Sequence, residues 1–116
     1  VSAALEAIIE HGDRDRNYRT THSDTINCAD GFRVSVIAGV GCYCTPRPGL
    51  EWNGGVAEDY SGPYTEVEVG FPSARPEPWD QWREWSEDPD NPTGAVYAYV
   101  PVAAVRALVA LHGGTT

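Results

Sequence analysis

The chain has 116 residues, the length of one domain, and a chain of that size buries roughly two-thirds of its unfolded surface around a single core. Seventeen acidic residues face eight basic ones, all arginine, for a formal net charge of -9. That balance excludes broad nucleic-acid binding, which needs clustered cations against phosphates. It leaves plain solubility, or a basic protein surface with DNA mimicry included, as what the acids serve.

The first residues read as a helix from Ser2, a capping residue, to about Glu10. Leu5, Ile8 and Ile9 share a face at helical spacing, and His11-Gly12 closes the helix. Glu6 and Glu10 interrupt this stretch, no basic leader precedes it, and no apolar run approaches the ~20 residues of a membrane span. Neither an export signal nor a membrane segment is expected. Three cysteines make no disulfide framework, so reduced thiols in a cytoplasmic setting are expected. Residues 13–19, with alternating Asp and Arg, read as a loop or the start of an edge strand.

Thr25–Ala29 and Phe32–Ala38 flank Asp30-Gly31, the signature of a hairpin closed by a two-residue type I′ turn. Phe32, Val34 and Val36 then share one face. Gly39–Gly55 is rich in Gly and Pro, and its prolines exclude a central strand. It is the longest irregular stretch, the kind of segment that often carries function. Tyr64–Phe71 alternates, with Thr65, Val67, Val69 and Phe71 on one face and Glu66 and Glu68 on a solvent-facing row. Pro78–Glu87 reads as a short helix, Asp88–Pro92 as a turn cluster, and Val96–Val100 as a strand. Pro101 opens a last helix to about Leu111, lined inside by Val105, Leu108 and either Leu111 or His112, with Gly113 as its stop. The pattern predicts a single α+β domain over residues 1–116. It has an antiparallel sheet of about four strands, N- and C-terminal helices on one face, and a short Trp-rich helix at an edge or in the same layer.

Four constellations could carry chemistry. Cys42 and Cys44 are two apart, so on an extended segment both thiols point one way. With Cys28, His11 and His22 as further soft donors and no second Cys pair, a buried structural pair is the first reading. A metal- or thiol-dependent site is the alternative; no cofactor and no bound metal are expected. Arg14, Arg16 and Arg19 form the one basic cluster, nearly cancelled by Asp13 and Asp15. Together with Arg47 and the Gly/Pro loop they are the candidates for holding an anionic ligand or nucleotide. On a helical wheel Trp79, Trp82 and Trp85 fall on one arc and Asp80, Glu84, Glu87 and Asp88 on the other. Either the tryptophans cover the sheet, or they and the acids form a partner-binding surface, since Trp is enriched at binding hot spots. Glu66 and Glu68 are too plainly a solvent-facing row to be read as an acid/base pair. No phosphate-binding loop, nucleophile elbow or zinc-helix motif is present.

Three segments carry a resemblance: Cys42–Pro48, Gly62–Pro72, and Tyr99–Val102 running on through Val105–Leu108 to His112–Gly114. From about Cys28 onward the chain is similar to small uncharacterised proteins encoded by phages of GC-rich actinobacteria. GC-rich coding also accounts for arginine in place of lysine. The resemblance implies expression in a bacterial host cytoplasm and a role in managing host machinery. It implies no particular activity, and no functional residue comes with it. The reading that emerges is a non-enzymatic protein acting by contact with a basic-surfaced protein, as an inhibitor of a host or defence protein would. A small-anion or nucleotide binder and a Cys42/Cys44 metal or thiol protein are the alternatives.

Overall fold

A computed structural model describes residues 3–11, 25–39, 42–49, 52, 54–57, 60 and 62–115. In chain order the elements are α1 (Ala3–His11), β1 (Thr25–Asn27), β2 (Arg33–Ile37), β3 (Glu66–Gly70), α2 (Trp79–Trp82), β4 (Val96–Pro101) and α3 (Val102–Leu111). The four strands form one antiparallel sheet in the order β1-β2-β3-β4. The expected α+β architecture is therefore the observed one.

Register sorts the side chains. Ile26 pairs with Val34, Val36 with Val69, and Val69 and Val67 with Tyr97 and Val100. All seven are buried on one face, where they meet Leu5, Ile8 and Ile9 of α1 and Val105, Leu108 and Val109 of α3. One sheet face and two apolar helix stripes thus make one core. Arg106 of α3 binds Glu6 of α1 through two hydrogen bonds, at 2.7 and 2.9 Å, which pins the helices to each other. The inner face of α3 uses Val109; Leu111 is exposed and His112 is half-buried at its end. Gly113 and Gly114, both at positive φ, close α3 by donating their amides to Ala110 and Val109, a Schellman stop.

Three local expectations need correction. The hairpin turn is one residue longer than a type I′ link. Cys28 N–H bonds Phe32 O, Gly31 N–H bonds Cys28 O, and of the turn residues only Gly31 has positive φ, so this is a type I turn followed by a glycine bulge. The Asp30 carboxylate decides it by accepting Phe32 N–H at 2.9 Å, which holds Asp30 out of the left-handed region. Phe71 does not continue the inner row of β3. The strand stops at Gly70 and Phe71 turns to φ 49, which leaves its ring exposed. The Trp-rich helix spans only Trp79–Trp82, followed by turns. Its chain then straightens alongside β4, with Ala98 N–H bonding Trp85 O and Glu87 N–H bonding Val96 O. Backbone pairing with a sheet edge outcompetes helix propagation there.

Candidate functional site

The helices cover one face of the sheet. On the other, Thr25, Arg33, Ser35, Ile37, Glu68, Phe71, Ser73 and Val96 rim a groove of about 460 Å³. Gly70 lies between Ser35 and Val96 in the ladder, and a Cβ built on it meets nothing within 4 Å, so the missing side chain is what deepens the groove.

At the far end of this face residues 42–47 form a strap. Cys42 and Cys44 point inward, at 8% and 0% exposure, while Tyr43 between them points out; the two-residue spacing is read correctly as one shared direction. The Cys44 thiol reaches Gly39 O and Pro46 O at 3.6 and 3.3 Å, which ties the strap to the end of β2. Thr45 N–H bonds Glu66 O, and Thr45 Oγ donates to the Glu66 carboxylate at 2.6 Å. Tyr43 N–H donates to Glu68 Oε1 at 2.9 Å. Glu66 and Glu68 are therefore not a solvent row but the strap's anchors. Burial pushes the Glu68 carboxyl above the usual range, opposed by the Tyr43 amide; Glu87 nearby pushes the same way as burial and Arg47 the other.

β4 rises to meet the strap. Its ladder to β3 slips between Val67 and Val69, and Tyr99, inside that bulge, takes φ 54. Its amide bonds Tyr43 O, and the two rings stand 6.0 Å apart. Arg47 lies over the Tyr43 ring at 5.4 Å and donates a long 3.4 Å bond to the Tyr99 hydroxyl. Arg47, Cys44, Thr45, Pro46, Gly54, Gly55 and Tyr99 line a cleft of about 320 Å³. Tyr99 and Phe71 are the described non-glycine residues at positive φ, both are exposed aromatics, and they stand toward opposite ends of β4. Strained backbone of this kind persists only where the surrounding structure enforces it, and it clusters at functional sites.

The tryptophans singled out in the sequence pack elsewhere. Trp82 is 1% exposed and packs edge-on against Tyr97 and Trp85, so it is a core residue and offers no surface to a partner. Trp79 and Trp85 are half-buried against the same cluster. Asp80, Glu84, Glu87 and Asp88 are exposed, but only Asp80 belongs to the four-residue helix and the other three follow it, so the four do not share one helical face. Arg14, Arg16, Arg19 and His22, with the side chain of His11, lie outside the described residues. No cysteine is in a disulfide. Among the described residues no three His, Cys, Asp or Glu side chains are grouped to hold a metal ion. No described helix is long and apolar enough to cross a membrane.

Sequence reasoning missed Phe71, Tyr99 and Trp52, the last 79% exposed. Trp52 sits in a Gly-rich run that marks a loop, but Phe71 and Tyr99 are masked by strand-like alternation. It also missed Asp30 and His112, which no spacing rule connects. No protein-family model, curated protein or solved structure matches the chain.

Proposed function

We propose that this is a non-enzymatic binding protein that works by contact with another protein. Its anchoring surface is the helix-free sheet face between Phe71 and Tyr99. The observation that carries this reading is the pair of exposed aromatic rings, each presented by a backbone held at positive φ. Interface centres are enriched in aromatic and Arg side chains, and this face offers Phe71, Tyr43 and Tyr99 with Arg33 and Arg47. The exposed carboxylates of the chain, Asp80, Glu84, Glu87 and Asp88 among them, attract a basic-surfaced partner through their long-range field and set the salt dependence of the encounter. The resemblance to phage proteins supports a host protein as that partner, met in the bacterial cytoplasm, and inhibition as the outcome.

The test is capture from a nuclease-treated actinobacterial lysate with immobilised wild type, Phe71→Ser, and Leu111→Ser as a surface control on α3. One basic protein retained by wild type and L111S, and lost with F71S, is the expected result. Equal retention by all three, or no retention, would overturn the assignment of this face.

A further inference from the structure

The cleft beside the strap has a chemistry of its own. Arg47 is half-buried in a chain where acids outnumber bases two to one, yet it pairs with no carboxylate among the described residues. Its guanidinium has five donor hydrogens, and among the described residues the long bond to the Tyr99 hydroxyl is the one it makes. Gly54 and Gly55 line the same cleft, and their amides have no acceptor among the described residues. Gly54 adopts φ 85, and a Cβ built there meets only open space, so the glycine is required by the backbone path and leaves the cleft wall unobstructed. Tyr99 lines the cleft and Tyr43 stands beside it with Arg47 over its ring, both exposed.

We infer that this cleft binds a small phosphate monoester with a planar body, the phosphate taken by Arg47, the Tyr99 hydroxyl and the Gly54–Gly55 amides, and the planar part laid against Tyr43 or Tyr99. A guanidinium fork, a phenol and two backbone amides are more donors than a flat carboxylate can use, whereas the three terminal oxygens of a phosphate match them. The volume of about 320 Å³ lies in the range of small-ligand sites. The local cation also answers the obvious objection that a chain of net charge -9 repels anions. Long-range repulsion is screened beyond about 10 Å at ordinary salt, while the contact with Arg47 is not.

The experiment is a titration of the purified chain with adenosine 5′-monophosphate, inorganic phosphate and adenosine, followed by amide chemical shifts and by calorimetry. Because no partner protein is present, its outcome is separate from that of the capture experiment. The monophosphate is expected to shift the Gly54 and Gly55 amides and to bind more tightly than phosphate alone, with adenosine weaker than both. Arg47→Gln and Tyr99→Phe, both at partly exposed side chains, should each keep the fold by circular dichroism, and R47Q should weaken the monophosphate by about tenfold or more. Absence of any shift at millimolar monophosphate would overturn the site, as would unchanged binding in R47Q. Equal affinity for phosphate and monophosphate would overturn the role given to the tyrosine rings.

Discussion

Asp30 and His112 are 82 positions apart in the chain and meet at 2.7 Å between Oδ2 and Nδ1, with the imidazole stacked flat on Phe32 at 3.9 Å. An ionised Asp30 only accepts, so the shared proton sits on Nδ1. Nε2 is then left buried with no partner among the described residues. Asp30 also accepts Phe32 N–H, and this bond first, then His112, holds its carboxyl below the ordinary 3.8. A carboxylate with a depressed pKa adds stability above its unfolded value and loses it as pH falls through the folded one. Asp30→Asn should therefore melt lower than wild type at pH 7, and the gap should close as the pH drops below about 3.8. A gap that stays constant from pH 7 to pH 2 in thermal scans would show that the ionised carboxylate is not the source.

The two glycines of this corner are not equivalent. Gly31 and Gly113 both have positive φ, but a Cβ on Gly31 meets nothing, whereas one on Gly113 comes to 3.2 Å from the Ala29 Cβ. Gly31→Ala should cost the backbone strain alone, about 1–2 kcal/mol. Gly113→Ala should cost more, because hairpin and helix end must also move apart. Urea denaturation of both variants compares them directly, and equal losses would remove the steric part of the account.

Trp82 and Trp52 mark the extremes of burial. Trp82→Ala should lower stability by about 3–5 kcal/mol, the cost of a large cavity. Trp52→Ala, at 79% exposure, should change it by under about 0.5 kcal/mol. Chemical denaturation reads both, and a large loss on removing Trp52 would mean that its ring packs on something.

The α1–α3 pin is bidentate but exposed, with side chains 47% and 38% accessible at Arg106 and Glu6. A double-mutant cycle with Glu6→Ala and Arg106→Ala should give a coupling of about 0.5 kcal/mol that shrinks in 1 M salt. A coupling insensitive to salt would point to packing of the arginine stem instead.

Glu68 links the strap to the sheet. Burial and the nearby Glu87 raise its pKa, so its ionised form is disfavoured and its contribution falls as pH rises through the folded value. Glu68→Gln keeps an acceptor for Tyr43 N–H without the charge and should be neutral to stabilising at pH 7. Glu68→Ala orphans that amide and should cost about 1 kcal/mol. If hydrogen exchange at Tyr43 is the same in both variants, the bond does not hold the strap.

Strand alternation made the layer order legible. Val34, Val36, Val67 and Val69 are on the inner face where period two puts them, because a one-residue slip would expose the whole row. The terminal helices followed from their apolar stripes. Less legible were the positions where tertiary pairing overrode a local rule: the Trp segment, straightened by β4, and Tyr99, turned by a bulge. The candidate site was half visible. Arg47 and the Cys42/Cys44 segment stood out, but nothing near them in sequence announced that Tyr99 would complete the cluster from 52 positions away.

The ends of the sheet have a consequence for how the molecule lives among its copies. Along β4, Trp85 and Glu87 occupy hydrogen-bonding positions that would otherwise face outward, and Thr115 and Gly114 do the same beside the β1–β2 hairpin at Cys28 and Ala29. A bare ladder is a template on which other chains nucleate, and at these positions the template is already written over. At these positions a neighbouring copy meets side chains rather than open backbone, and an encounter of that kind can be released.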